Sequence, residues 1–136
     1  PRIKNIVTLI SSLLKPGSEF LYTSFNRKKV MELLGKSGKW EHYEDKFRKY
    51  SIIKTGPYSI KLIIPVNPDK YYTETLIDDD TLDKEFKKCG MSVKKQGSFI
   101  DFINEFKIQK PQLFKDINSY DEKFISLYSY KSYIKN

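Results

Sequence analysis

The chain has 136 residues, of which 39% are hydrophobic and 15% aromatic. This is enough apolar material for one domain with a packed core, and it excludes a disordered chain. The formal net charge is +8, and the excess lies in residues 1–72, where 14 Lys and Arg face 6 Asp and Glu. Residues 73–136 hold 11 of each. The asymmetry predicts an anionic partner for the N-terminal half.

Cysteine content and hydropathy restrict the setting. Cys89 is the only cysteine, which excludes an intramolecular disulfide, a CxxC redox pair and a cysteine-based zinc cluster. It favours a reducing compartment, so we expect an intracellular protein of the cytoplasm or nucleus. The first apolar run, residues 6–14, is interrupted by polar residues and predicts neither a signal peptide nor a membrane span. The absence of alanine, beside many Lys, Ile, Tyr, Asn and Phe, indicates an AT-rich genome.

The first elements are predicted to be helical. Apolar residues between Ile3 and Leu14 follow helical spacing and form one face. Residues 18–23 predict a brief extended bridge, after which Ser24 or Asn26 can cap a second helix. The cations of residues 27–29 lie in the first turn of that helix, where they oppose its dipole. A feature that lowers stability invites a functional explanation for these three residues, although the simpler interpretation is a solvated surface turn.

The middle of the chain predicts a third helix and a hairpin. Trp40, Tyr43, Phe47 and Tyr50 recur at i, i+3, i+7 and i+10, which is helical spacing. Beyond them, strands at residues 51–54 and 58–66 flank a Thr-Gly-Pro turn and predict a β-hairpin.

The C-terminal half predicts mainly helices. The acidic run 78–80 is interpreted as a helix cap with favourable dipole charges rather than as a Mg²⁺ site. Ser98 and Asp101 predict a capping box, and Pro111 fits the first turn of a short helix. Residues 120–134 fit either a helix or a strand.

These elements define the predicted fold class. Three helices followed by a hairpin is the order of a winged-helix domain, and residues 1–66 resemble that broad class by element order alone. The prediction is therefore an α+β protein with a winged-helix-like N-terminal half, residues 1–66, and a linker at residues 67–72. Residues 73–136 form a mainly helical, charge-neutral, aromatic-rich extension, packed with the first half as one unit.

The charge and this element order predict a nucleic-acid-binding protein that binds duplex DNA rather than RNA. It would be a regulatory or replication-associated protein of a mobile element, virus or low-GC microbe. Self-association or a protein partner would engage the C-terminal half, and no membrane is involved. The candidate nucleic-acid-binding residues lie on the second helix, the turn, the third helix and the hairpin: Arg27, Lys28, Lys29, Lys36, Lys39, His42, Lys46, Arg48, Lys49, Lys54 and Lys61.

Catalysis is not predicted. No catalytic motif accompanies the charge pattern, so we expect no enzyme, no cofactor and no bound metal. Two alternatives remain open. One is a small adaptor or inhibitor that binds an acidic protein surface. The other is a metal-dependent nuclease, in which Asp69, Asp121 and Lys123 would have to converge.

Overall fold

The computed structural model describes residues 2–44, 47–65 and 69–136, with the backbone alone described at residues 47 and 48. The chain divides into two compact units. Unit 1 comprises Pro1–Phe25 and Asp78–Asn136, and unit 2 comprises Asn26–Ile77. This division differs from the predicted boundary at residues 67–72, of which residues 67 and 68 lie outside the described residues.

Unit 1 is built on a three-stranded sheet with the strand order β1–β7–β6. The strands are β1 (Glu19–Phe25), β6 (Met91–Ser98) and β7 (Tyr128–Lys135). β7 lies in the centre and is antiparallel to both neighbours. Its residues therefore receive partners on both sides, which is why its middle is the most buried part of the sheet.

The helices of unit 1 are α1 (Arg2–Leu13), α3 (Asp79–Lys88), α4 (Ile103–Gln109), α5 (Pro111–Phe114) and α6 (Ser119–Ser126). α1 packs against α3, and α3 packs against β6. The predicted capping box at Ser98 and Asp101 is confirmed and opens a short 3₁₀ helix, Phe99–Phe102. A second capping box, Asn118 with Asp121, opens α6.

In its described residues, unit 2 is a four-stranded antiparallel sheet with the order β2–β3–β4–β5, together with one α-helix and a short 3₁₀ turn. The elements are α2 (Arg27–Leu34), β2 (Lys39–Glu44), β3 (Phe47–Gly56), β4 (Ser59–Ile63) and β5 (Tyr72–Thr75). Asn26 caps α2 by accepting a hydrogen bond from the Lys29 amide, as its position predicts. The core includes Val30, Ile52 and Ile60, which are all fully buried.

The predicted winged-helix half is wrong, because the described residues of the predicted third helix form strands. Residues 40–44 and 47–50 belong to β2 and β3, which pair antiparallel with Trp40 opposite Ile52 and His42 opposite Tyr50. The rings of Trp40 and Tyr50 stack across the two strands, with centroids 5.8 Å apart. Aromatic residues have a high propensity for strands. Trp40 and Tyr50 are therefore neighbours across two strands and do not lie ten residues apart on one face of a helix.

The predicted mainly helical C-terminal half is also wrong. Residues 73–136 contribute part of β5 and all of β6 and β7. The last segment, for which both a helix and a strand fitted the pattern, is a strand. It forms the centre of a sheet, where Lys131, Ser132 and Tyr133 are all buried. Among the described residues, no helix is both long and apolar enough to span a membrane.

Candidate functional site

A cluster of tyrosine, aspartate and lysine side chains lies between α3 and the sheet of unit 1. We call it the Tyr–Asp–Lys cluster; it comprises Tyr22, Asp79, Asp83, Lys131 and Tyr133. The Lys131 ammonium donates to both carboxylate oxygens of Asp83, at 3.0 and 3.2 Å, and lies 4.0 Å from Asp79. The Tyr22 hydroxyl donates to Asp79 at 3.0 Å, and the Tyr133 hydroxyl donates to Asp83.

The surroundings keep the two tyrosines protonated. Burial raises the pKa of Tyr22, and the neighbouring Asp79 carboxylate raises it further. Burial also raises the pKa of Tyr133, and its hydrogen bond to Asp83 adds to the shift. Both hydroxyls are therefore donors that hold the carboxylates of α3 in place.

Aromatic rings enclose the cluster. Tyr133 stacks on Phe86 at 4.0 Å and on Tyr22 at 6.3 Å between ring centroids, and Phe20 lies 5.7 Å from Phe86. The side chain of Lys131 is only 8% exposed. A charge this enclosed, with a bidentate partner, anchors α3 to the sheet rather than presenting itself to a substrate.

A second feature of unit 1 is an apolar cavity of about 390 Å³ between the 3₁₀ helix, α4 and α6. Its lining is almost wholly apolar and consists of Phe99, Phe102, Ile103, Phe106, Ile117 and Ile125. Next to it, Tyr128 stacks on Phe25 at 4.2 Å and on Phe99 at 5.8 Å. Such a cavity suits a ring or an apolar side chain and offers little to a charged group.

The described candidate nucleic-acid-binding residues all belong to unit 2, which holds 11 Lys and Arg against 6 Asp and Glu. Arg27, Lys28 and Lys29 lie in the first turn of α2, as predicted. Arg27 donates from Nε to the Pro57 carbonyl at 2.8 Å, and its guanidinium lies 4.3 Å from the centroid of the Tyr58 ring. These contacts give Arg27 a structural role at the turn between β3 and β4.

Two of the predicted cations share one row of the sheet. Strand register places Lys39 opposite Ile53, and Ile53 opposite Lys61, so the three side chains lie on the same face. Lys39 also pairs with Glu41 at 3.2 Å. Partial burial acts to raise the pKa of Glu41, but hydrogen bonds from Lys39, Tyr43 and Ser51 outweigh it and lower the pKa.

The other predicted residues are spread over unit 2. Lys36 lies in the 3₁₀ turn Gly35–Ser37 and is exposed. Lys54 is exposed on β3, on the sheet face opposite Lys61. His42 lies on β2, with Nε2 3.7 Å from Glu44, to which Lys49 also bonds at 2.9 Å. Lys46 and the side chain of Arg48 lie outside the described residues.

The nuclease alternative has no support in this geometry. Asp121 is buried on α6, where its carboxylate accepts from the Asn118 amide at 3.0 Å as part of a cap. Lys123 is on the same helix, and Asp69 belongs to unit 2. In residues 2–44, 47–65 and 69–136, no group of three or more His, Cys, Asp and Glu residues could hold a metal ion.

Sequence reasoning missed the Tyr–Asp–Lys cluster. The interpretation of residues 78–80 as a cap is right for Asp78, which accepts from the amides of Asp80 and Thr81. The same interpretation did not predict that Asp79 accepts a hydrogen bond from the Tyr22 hydroxyl. A signal existed at Lys131, a cation on the apolar face of its segment, which usually indicates a buried partner of opposite charge.

Comparison with solved structures defines the class of fold. An S-adenosylmethionine-dependent methyltransferase from Clostridium acetobutylicum superposes on 98% of this chain with a TM-score of 0.52 and 10% identity. The CcbJ methyltransferase from Streptomyces caelestis superposes on 97% with a TM-score of 0.51 and 13% identity. The chain covers 50% and 49% of those proteins. It therefore shares a mixed α/β fold with about half of each of these methyltransferases, and a winged helix is excluded.

Sequence comparison points to a particular group of viral enzymes. The chain is 27% identical, over 148 aligned positions and 99% of its length, to the mRNA-capping enzymes of African swine fever virus isolates from a Kenyan pig and a South African tick. It spans 17% of the length of these relatives. No family model matches the chain. The viral part of the predicted origin is consistent with these relatives.

These comparisons overturn the predicted function. A DNA-binding regulator that is not an enzyme is wrong, because the matched proteins are capping enzymes and methyltransferases. The adaptor and nuclease alternatives lose their support for the same reason. Self-association through the C-terminal half stays a prediction.

The superposed methyltransferase from Clostridium acetobutylicum is S-adenosylmethionine-dependent, so the apolar cavity of unit 1 can be compared with that molecule. That molecule carries a charged amino acid group, a ribose diol and an adenine, all of which require polar partners. The cavity offers six apolar side chains and almost no polar surface. It does not fit S-adenosylmethionine, and no step of methyl transfer is derived from it.

Proposed function

We propose that this chain is part of an mRNA-capping enzyme and forms about half of an S-adenosylmethionine-dependent methyltransferase domain in it. The observation that carries the proposal is that two independent likenesses cover the same residues. The capping enzymes match 99% of the chain in sequence, and the methyltransferases match 98% of it in structure. A single segment that satisfies both is best explained as the methyltransferase part of a capping enzyme.

In such an enzyme, S-adenosylmethionine supplies the methyl group and the capped end of an RNA receives it. The residues of unit 1 serve the framework, since the Tyr–Asp–Lys cluster fixes α3 on the sheet. Capping acts on RNA made inside a cell, so we assign the protein to the inside of the host cell.

Unit 2 supplies the contact with RNA in this proposal. Its cations exceed its acidic residues by five, and a polyanion is attracted to such an excess. Lys39 and Lys61 lie in one row on one sheet face, with Ile53 between them. Two cations held by a sheet can meet neighbouring phosphates without the ordering that two loop residues would need. Lys28, Lys36 and Lys54 are also exposed in unit 2, with Lys54 on the opposite face of the sheet.

The proposal is tested by methyl transfer. The full-length gene product is incubated with methyl-labelled S-adenosylmethionine and with two RNAs of the same sequence, one capped and one bearing a 5′ triphosphate. We expect label in the capped RNA and little in the other. Failure to label either RNA, by a protein that is folded by circular dichroism, overturns the proposal.

A further inference from the structure

The outer edge of β1 is unprotected. Among the described residues, β1 pairs with β7 alone, so its second edge carries unpaired backbone groups. Proteins protect such edges with lysines, prolines or bulges, because an exposed edge invites pairing with another chain. β1 carries one charged residue, Glu19, and pairs with β7 over seven residues without a bulge. Leu21, in the middle of the strand, is 64% exposed.

The opposite edge of the same sheet is protected. β6 carries the exposed Lys95 at its middle, next to Lys94, which pairs with Glu19, and its register with β7 shifts between Val93 and Lys95. An exposed lysine and a bulge are devices that stop further strand pairing. Since the two edges of one sheet differ in this way, the sheet is built to end at β6 and to continue at β1.

α1 carries a second apolar face, which no element of the described residues covers. Val7 is buried on the side that packs against α3. Ile6, Leu9 and Leu13 follow at i, i+3 and i+7, and they are 57–74% exposed. An amphipathic surface helix needs one apolar stripe, so a second stripe indicates another packing partner.

We infer that the free edge of β1 and the exposed stripe of α1 form the surface on which the rest of the methyltransferase fold docks. The occupant is a further segment of the same polypeptide, which adds a strand beside β1 and an apolar layer over Ile6, Leu9 and Leu13. The length comparison supports it, because the superposed methyltransferases are about twice as long as this chain. The inference rests on the fold comparison and not on the RNA-capping assignment.

Cysteine accessibility tests the stripe of α1 directly. Leu13→Cys and, as a matched control, Ile108→Cys on the exposed side of α4 are made in the full-length gene product with Cys89→Ser. Site-resolved maleimide labelling of the native protein is followed by mass spectrometry. We expect Leu13→Cys to react at least about tenfold more slowly than Ile108→Cys, because opening of a packed interface limits its reaction. Equal rates overturn the inference.

Hydrogen exchange tests the edge of β1 in the unsubstituted protein. An edge strand bonds only every second residue to its neighbour, so in a free edge alternate amides of Glu19–Phe25 exchange rapidly. If a strand covers the edge, both sets of amides are protected. Rapid exchange of one set overturns the inference, and so does protection that disappears on dilution, which would identify a second copy as the occupant. Neither maleimide labelling nor hydrogen exchange depends on methyl transfer, so failure of this inference can be distinguished from failure of the proposed function.

Discussion

Lys131 donates to both carboxylate oxygens of Asp83, at 3.0 and 3.2 Å, and this pair joins the central strand β7 to α3. The two partners differ in exposure: the Lys131 side chain is 8% exposed and that of Asp83 is 37%. The buried Lys131 ammonium therefore relies on the Asp83 carboxylate to compensate its charge, whereas that carboxylate is also solvated by water.

This difference predicts unequal effects when one partner is removed. Asp83→Asn leaves a buried ammonium near Asp79 alone and should lower the free energy of unfolding by about 2–4 kcal/mol. Lys131→Met keeps the apolar stem and leaves a carboxylate that water and Tyr133 can satisfy, so we expect a loss of about 1–2 kcal/mol. Urea denaturation followed by circular dichroism measures both.

A surface pair on the same helix provides the control. Lys88 and Glu85 form an exposed i, i+3 pair on α3, at 2.9 Å. Lys88→Met should change stability by less than about 0.5 kcal/mol. If Lys131→Met is at least as damaging as Asp83→Asn, the assigned order of burial in the cluster is wrong.

The two cluster tyrosines predict an alkaline pH dependence. The folded pKa of Tyr133 is raised above the ordinary value of about 10, so its stabilisation is complete below pH 10 and is lost as the pH rises beyond it. Tyr133→Phe should therefore leave the native phenolate absorbance unchanged up to about pH 11. In denaturant, where all ten tyrosines titrate, the same substitution should remove a tenth of the amplitude. Loss of amplitude in the native titration would contradict the placement of Tyr133.

Close packing at Gly97 predicts a steric effect. A Cβ added there would lie 2.6 Å from the Tyr130 hydroxyl and 2.8 Å from an Asp101 carboxylate oxygen. Asp101 cannot move freely, because it accepts from the Ser98 amide in the capping box. Gly97→Ala should lower the free energy of unfolding by about 1–2 kcal/mol.

A double variant distinguishes this steric clash from a general sensitivity of β6 to substitution. Tyr130→Ala removes the nearest atoms, so Gly97→Ala should be less harmful in that background than in the native protein. Additive effects of the two substitutions would exclude the steric explanation.

Lys39 and Lys61, which lie in one row of the sheet of unit 2, predict a change in RNA binding. Lys39→Ala with Lys61→Ala should weaken binding to single-stranded RNA, and the slope of log affinity against log salt should fall by about 1.4. Fluorescence polarisation across a salt series measures both. Lys84→Ala with Lys115→Ala, at exposed positions of unit 1, is the control with the same charge change. An unchanged slope for the first variant would place the RNA contact elsewhere.

Local signals in the sequence predicted several element boundaries. Asn26 before α2, the Ser98–Asp101 box and Pro111 at the start of α5 all lie where the pattern placed them. These features depend on residues within one turn of each other. Backbone amides at the start of a helix need hydrogen-bond acceptors, and the capping side chains that supply them are recognisable in the local sequence.

Features that depend on distant residues were not predictable in this way. The spacing of Trp40 and Tyr50 satisfies a helix and also a pair of strands, and pairing with Ile52 decides between them. β7 is central because residues more than 30 positions away flank it on both sides. The same is true of the Tyr–Asp–Lys cluster, whose members come from β1, α3 and β7 and carry no short motif.

The uneven distribution of charge along the sequence corresponds to a structural unit with different boundaries from those predicted. The first 72 residues are basic, but the structure separates residues 26–77 as a unit, and this unit alone contains every described candidate cation. The candidate residues therefore share one unit of the structure, and their part in binding a polyanion stays a prediction. The sequence order of charges could not reveal that they lie on the helix, the turn and the sheet of a unit whose residues interrupt the sequence of unit 1.

The central claim is that this chain is a working part of the methyltransferase domain of an RNA-capping enzyme. The most direct measurement compares methyl transfer to capped RNA by the full-length gene product and by the same protein without residues 1–136, both checked for a monodisperse state by size-exclusion chromatography. We expect the deletion to abolish methyl transfer. Methyl transfer retained by the shortened protein would contradict it.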